Sequence, residues 1–285
     1  MSVMALANSV NSVKPPERDN TEPSFWAKCL KEGVEIKLEN SPVKVARKML
    51  LGTIMGDASL RRPHNTGNKA SFRVTHSASQ LPYLLWKAKK VAPLVGTLRA
   101  YIWDTKWTPE GGFKVTLSSH CSKFLGHLYD DFYRREDGEN KKVLRSNVLN
   151  RLTPLSLAIF YADDGTPFFR YQEQERLLVG FELCTQGFTS EEVDLLIDTL
   201  KKKFGVLFRK RKVATTQGER YAIRTCCLED RDIFLMLVKP YLWEVECLRY
   251  KLDSQFKKFS SYSAEGLEKY LRDHDMIHGV TNAIH

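Results

Sequence analysis

The sequence is poor in the residues that build extracellular or membrane-spanning proteins. Six cysteines occur among 285 residues, at 29, 121, 184, 226, 227 and 247, and no CxxC pair or Cys/His set has zinc-ligand spacing. Cys226 and Cys227 are adjacent, and on a strand they point to opposite faces. All six read as reduced thiols, so the protein is expected to be intracellular. No apolar run approaches the ~18 residues a bilayer span needs, and no membrane partner is expected. The first sixteen residues hold one Lys and no Arg, a poor match to a secretory or organelle-targeting peptide.

What is present is positive charge. Lys and Arg number 44 against 34 Asp and Glu, giving +10 and a pI near 9.2. That balance suggests a polyanionic partner, with nucleic acid the first candidate. At 42% hydrophobic and 27% charged, the composition is that of an ordinary globular chain with room for one large or two small domains.

The chain matches itself at a shift of about 108 residues. "FRVTH" at 72 meets "FELCT" at 181, "FKVTLSS" at 113 meets "YAIRTCC" at 221, and the helical "SQLPYLLWKAKKV" at 79 meets "SEEVDLLIDTLKKKF" at 190. A period this long is a domain duplication rather than a solenoid. In each half a helix ends at Asp, and strand, helix, further strands and a last helix follow. In "FRVTH" and "FELCT" apolar residues alternate, the period of a half-buried strand. "LRAYIW" at 98 and "VLFRKRKV" at 206 read as strands, the latter alternating exposed and covered sides. Helices on one sheet face and polar residues on the other make a two-layer α/β unit, and two copies make a pseudo-two-fold molecule. The expected organisation is a mobile arm over residues 1–40, with a short helix near "FWAKCL". A first repeat over 41–150 and a second over 151–255 follow, and a helical extension over 256–285 includes "AEGLEKYLRDH".

Two short stretches carry the chemistry. "LLGTIMGDA" at 50 and "LAIFYADDG" at 157 are apolar, helix-like runs that each stop at a carboxylate. Ser41-Pro42 and Thr153-Pro154 mark the helix starts, hydroxyl at the N-cap and Pro at the first helical position. Helices of about 16 and about 11 residues would then reach Asp57 and Asp164, with Gly165 a natural terminator. Gly52 and Gly56 in one run, and Ala158 and Ala162 in the other, recur every four residues and let two backbones approach closely. If the helices pack together, Asp57 and Asp164 become neighbours at two negative helix ends. Like charges there call for a cation, and Mg²⁺ binds through one or two carboxylates plus substrate phosphates.

The two stretches resemble the paired signature motifs of the LAGLIDADG homing endonucleases in their single-chain, two-motif form. "LTPLSLAIFYADDGT" at 152, "LCTQGFTSEEVDLL" at 183 and "LVKPYL" to "YKL" at 237–252 are similar to that family's second half, and the resemblance covers about residues 44–255. Two departures stand out: Ala58 replaces the first motif's final Gly, and Asp163 occupies the slot matching Gly56. The resemblance implies an α/β (α+β) fold of two tandem αββαββα-like repeats forming a pseudo-two-fold saddle with an antiparallel DNA-binding sheet surface. It implies a monomer that cuts both strands of a long, weakly palindromic duplex to 3′ overhangs with 5′-phosphates. It further implies two or three Mg²⁺ ions shared between the motif helices and held by Asp57 and Asp164, with Asp163 the alternative to Asp164 and Gly56 and Ala58 also at the metal site.

By the same resemblance Lys142 and Lys251 stand near the scissile phosphates, with Lys141 the alternative to Lys142, and Gln186 contacts the water network or DNA. Asp57 to Lys142 spans 85 residues and Asp164 to Lys251 spans 87, a matched pair. On the polar sheet face Arg73, Thr75, Ser77, Lys114, Thr116, Arg209, Arg211, Arg220 and Arg224 are the expected DNA contacts. The rival reading is an intron-splicing maturase that binds its own RNA; a third is an inactive DNA-binding protein. Retention of both Asp and both Lys favours cleavage. Met1, a final His285 and the lack of a terminal His-Asn point away from an intein. The expected compartment is a prokaryotic cytoplasm or an organelle matrix or stroma.

Overall fold

The structure, a computed structural model, describes residues 34–36, 42–105, 112–172, 175–215 and 218–258. The expected helices at "FWAKCL" and "AEGLEKYLRDH" lie outside the described residues. Within the expected N-terminal arm, β1 (Val34–Ile36) pairs antiparallel with residues 98–100, so this part of the arm is an edge strand of the first sheet.

The first half runs α1 (Val43–Met55), β2 (Ser59–Arg61), β3 (Ser71–Ser77), α2 (Leu81–Val95), β4 (Leu98–Thr105), β5 (Gly112–Ser119) and α3 (Lys123–Phe132). A hairpin of β6 (Tyr133–Glu136) and β7 (Glu139–Lys142) and the short α4 (Ser146–Leu149) lead to the second half. That half runs α5 (Pro154–Asp164), β8 (Gly165–Gln172), β9 (Glu175–Cys184), α6 (Ser190–Phe204), β10 (Phe208–Thr215), β11 (Gly218–Thr225) and α7 (Leu228–Leu242), and a 3₁₀ turn, Glu246–Lys251, closes it. Each half is therefore αββαββα. The strand orders, β4-β5-β3-β2 with β1 added at the edge and β10-β11-β9-β8, correspond one to one under the repeat.

Period-2 alternation sets the faces. In β3, Phe72, Val74 and His76 are buried while Ser71, Arg73, Thr75 and Ser77 lie on the open face. α2 and α6 pack behind their sheets. The two motif helices, α1 and α5, lie against each other at the centre. Met49 to Met55 and Leu155 to Ala162 are buried without interruption, which is why neither helix shows a polar face.

The close approach of these helices is made by the glycines of α1. A Cβ on Gly52 would run into the backbone carbonyl of Ser156 and come within 2.8 Å of Ile159 Cβ. One on Gly56 would lie 2.5 Å from Asp163 Cβ. The atoms nearest the glycines thus belong to Ser156, Ile159 and Asp163, not to Ala158 or Ala162. Gly52→Ala is expected to lower stability by about 2 kcal/mol, because the obstructing atom is backbone and cannot rotate away. A urea melt checks this: the midpoint should fall with the slope unchanged.

The helix ends differ from expectation. Ser41 lies outside the described residues, and α1 begins after Pro42 with no side-chain cap. It also stops at Met55, short of Asp57. α5 starts as its sequence indicates: Thr153 accepts from the Ser156 amide, and Ser156 returns a contact in a capping box. Gly165 leaves the helix in an extended conformation, φ −97°, rather than a left-handed one. Glycine is needed there because any Cβ would strike the Tyr161 ring.

Candidate active site

The two helix ends hold the acidic residues in different ways. Asp164 is the last residue of α5. Asp57 sits one residue beyond Gly56, where α1 has unwound (ψ −127°), and Ala58 N–H reaches back 2.9 Å to Thr53 O. The Asp57 carboxylate is close enough to Asp164 to raise it. Burial, then Asp57 and Asp163, push Asp164 up to about 7. Burial, then Asp163, push Asp57 up to about 6. Among the described residues no basic side chain hydrogen-bonds Asp164.

These shifts have a sign that can be measured. A carboxylate whose folded pKa is raised holds its proton more tightly folded than unfolded. Its contribution is present at low pH and is lost as pH climbs through the folded value. His76, pushed down to about 3 by burial and Lys87, works in the opposite direction below its ordinary 6.5. The Asp164 contribution is therefore read as a difference between wild type and Asp164→Asn. Without metal, wild type should lose on the order of 1–2 kcal/mol relative to the variant between pH 4 and 7.5, after allowance for solvent screening. Thermal melts across that range supply the measurement.

Two lysines close the motif ends from behind. Lys142 Nζ donates to Gly56 O and Ala58 O, both at 2.9 Å. Lys251 Nζ donates to Ala162 O at 2.6 Å, Gly165 O at 2.7 Å and Tyr161 O at 3.4 Å. A cation on the last carbonyls of a helix is favoured by its dipole. The lysines arrive on different scaffolds. Lys142 ends the β6–β7 hairpin, whose turn at Asp137 and Gly138 has φ of 51° and 83°. Lys251 ends the 3₁₀ turn, and its own carbonyl accepts from Tyr161 Oη at 2.6 Å. Lys141 points away and pairs with Glu136 at 3.1 Å on the surface. Burial lowers the pKa of Lys142, and that of Lys251 to about 8.

Asp163 is not presented as a metal ligand. Its side chain is fully buried, and Oδ1 accepts from Lys87 Nζ at 2.6 Å and Tyr83 Oη at 2.7 Å. Oδ2 accepts from the Asp57 backbone N–H at 3.2 Å. Asp57, His76 and Asp163 do offer atoms within 4.8 Å of one another. Yet Lys87 already occupies His76 Nε2, at 2.9 Å, as well as Asp163 Oδ1. His76, Tyr83 and Lys87 were not expected from sequence.

Gln186 is half-buried in the turn after β9, and its backbone N–H donates to the Cys184 thiol. That thiol is raised by burial and, more weakly, by Asp164 and Asp57, which sets the turn beside the carboxylates.

The expected DNA contacts lie on the two open sheet faces, with corrections. Cross-strand rows place Arg73 beside Ser118, Thr75 beside Thr116, and Ser77 beside Lys114. Arg73, Thr75, Lys114 and Thr116 line a shallow depression there. Thr116, only 1% exposed, forms its floor with its hydroxyl 2.7 Å from Thr75, so it supports rather than presents a contact. In the second sheet Arg209 pairs with Arg224, and Val213 with Arg220. Arg211 and Arg224 are both held by Glu182, at 3.0 and 2.8 Å, and Arg224 lies 4.0 Å over the Phe168 ring. Lys210 turns to the helix side, to Asp194 at 2.7 Å.

The same organisation recurs in known proteins. The chain is 29% identical over 229 residues to protein RecA of Mycolicibacterium flavescens, covering 79% of this chain and 50% of that protein. It therefore spans about half the length of the first curated relatives it matches. Cytochrome b mRNA maturase bI2 of Debaryomyces hansenii is 28% identical over 81% of this chain and 85% of its own length. DNA endonuclease I-ChuI of Chlamydomonas applanata is 27% identical over 72% and 93%. Among solved structures, the homing endonuclease I-WcaI bound to its DNA recognition sequence superposes with a TM-score of 0.59 at 21% identity, over 76% of this chain and 88% of that one. No described helix is long and apolar enough to cross a membrane. Residues 47–226, which include Asp57, Asp164 and strands β2 to β11, match the model of the LAGLIDADG DNA endonuclease family, and the chain belongs to that family.

Proposed function

We propose that the chain is a site-specific endonuclease that cuts both strands of a long, weakly palindromic DNA duplex and leaves 3′ overhangs. The observation that carries this reading is the pair Asp57 and Asp164. Two raised carboxylates meet where two pseudo-symmetric halves join, flanked by polar sheet faces bearing Arg73, Lys114, Arg209 and Arg224. A closed interface gains nothing from unpaired like charges. A site for divalent metal and phosphate does.

The donor set fits a hard cation. Asp57 and Asp164 offer carboxylate oxygens, with no thiolate or unengaged imidazole beside them. We assign the metal as Mg²⁺, which when bound polarises the phosphodiester and lowers the pKa of water. The chain's own residues do the rest. Lys142 and Lys251 neutralise the carbonyl ends of the motif segments, fix the turns that carry the acids, and pull both carboxylates toward the ionised form. The sheet faces place the duplex, with Arg and Lys on phosphates or on guanine edges. Because one chain holds both halves, a monomer suffices.

Incubating the protein with a library of random duplexes and Mg²⁺, then sequencing the cut ends, tests this reading. Enrichment of one long sequence with staggered cuts is expected. No cleavage with Mg²⁺ or Mn²⁺, together with tight binding of structured intron RNA, would favour a maturase, the reading that the similarity to maturase bI2 supports.

A further inference from the structure

The unwinding of α1 at Gly56 creates a need that α5 does not have. Asp164 is inside its helix, and the backbone there is fixed by helical hydrogen bonds. Asp57 lies past the end of α1, and Ala58 rather than Asp57 takes the Thr53 carbonyl. The Asp57 N–H is left to Asp163 Oδ2.

We infer that Tyr83 and Lys87 are positioning residues for Asp57, acting through Asp163. By occupying Oδ1 they keep Oδ2 on the Asp57 backbone and keep this third carboxylate from competing for metal. The inference rests on the proposed role of Asp57 as a metal ligand. Tyr83 and Lys87 are both fully buried, away from the open sheet faces, and their polar atoms are engaged by Asp163 and His76. They come from the first half, and Asp163 comes from the second. The device has no counterpart at Asp164. α2 and α6 are equally long and each ends at a glycine, Gly96 and Gly205. Aligned on them, Tyr83 falls on Glu192, which closes the α6 capping box, and Lys87 on the buried Leu196. Gly56 stands where Asp163 stands. The two acids are thus supported unequally.

Tyr83→Phe tests this with the loss of one hydroxyl, and Lys87→Met/Asp163→Asn removes the charge pair together. Mn²⁺ binding to the full chain is measured by electron paramagnetic resonance, beside thermal melts and cleavage as a function of Mg²⁺. Residues that orient a ligand typically alter metal affinity by about 10-fold or more. Tyr83→Phe should melt within a few degrees of wild type, bind Mn²⁺ about 10-fold more weakly and need correspondingly more Mg²⁺ to cleave. The double variant should shift in the same direction, and it decides the matter if Tyr83→Phe does not fold. Lower melting temperatures with unchanged Mn²⁺ affinity would make the cluster merely structural and overturn the inference. A wild type that binds Mn²⁺ but cuts no duplex would sink the proposed function and leave the Mn²⁺ comparison to judge the positioning. A wild type that binds no Mn²⁺ overturns both.

Discussion

Asp57→Asn or Asp164→Asn should reduce double-strand cleavage by about 10³-fold, some 4 kcal/mol of barrier, while duplex binding without metal stays within a few-fold of wild type. The amide keeps the shape of the side chain and one carbonyl oxygen. What is lost is the charge that holds a divalent ion, so the effect falls on the chemical step. Binding rests on the sheet faces, where Arg73, Lys114, Arg209 and Arg224 are untouched. It should tighten slightly if it changes, since a negative charge has been removed from a surface that faces phosphates. The variants should also melt no lower than wild type near neutral pH, because each removes a buried carboxylate whose ionised form is opposed first by burial and then by neighbouring acids, Asp163 at Asp57 and both Asp57 and Asp163 at Asp164. Single-turnover cleavage at saturating protein, with gel-shift titrations in parallel, separates the two quantities. Full cleavage by either variant would remove the assigned metal site.

How far the sequence could be read depended on whether a feature was local. The duplication and the pairing of the two motif helices were legible, because hydrophobic period and turn residues repeat in register, and the αββαββα order followed from the family resemblance. Asp57, Asp164, Lys142 and Lys251 could be singled out by motif, and the structure brings all four together. Three things were not legible. β8 was missed because Gly165–Gln172 follows Asp164 directly, where a glycine reads as a helix stop rather than as the first residue of a strand. Glu182 lies between the apolar Phe181 and Leu183 of "FELCT", on the polar side of that alternation, but its grip on Arg211 and Arg224 depends on cross-strand neighbours that only the register supplies. The cluster around Asp163 left a trace that went unread. Lys87 lies three residues from Leu84 and four from Val91, on the apolar stripe of α2, and His76 shares the core-facing parity of Phe72 and Val74 in β3. A cation on an apolar stripe implies a buried counter-charge. The partner lies 76 residues away, in the other half.

Lys251→Met is expected to destabilise the protein by about 3 kcal/mol and to slow cleavage, whereas Lys142→Met should cost about 1 kcal/mol with a similar effect on rate. Methionine matches the length of lysine but donates nothing. At residue 251 it would leave the Ala162 and Gly165 carbonyls without a donor in a site closed to water, where an unmade hydrogen bond costs the most. At residue 142 the side chain itself is half-buried and borders solvent, so water entering beside the methionine can take over part of what the ammonium gave Gly56 O and Ala58 O. Both substitutions remove a positive charge that lowers the pKa of Asp57 and Asp164, so a larger fraction of each carboxylate is protonated at pH 7 and metal binds less well. The rate should therefore recover partly as pH is raised from 7 to 8.5, in both variants and more steeply than in wild type. A second sign is strongest at Lys251. Its folded pKa, about 8, lies below the ordinary 10.5, so the unfolded chain binds the extra proton between those values and wild-type stability rises with pH across that window. The rise should be much reduced in Lys251→Met, where only the smaller Lys142 share remains, and largely retained in Lys142→Met. Denaturant midpoints at pH 7.5 and 9.5 distinguish them. If Lys251→Met keeps wild-type stability and loses only duplex affinity, the lysine faces phosphate rather than the carbonyls of α5, and the support assigned to it here is wrong.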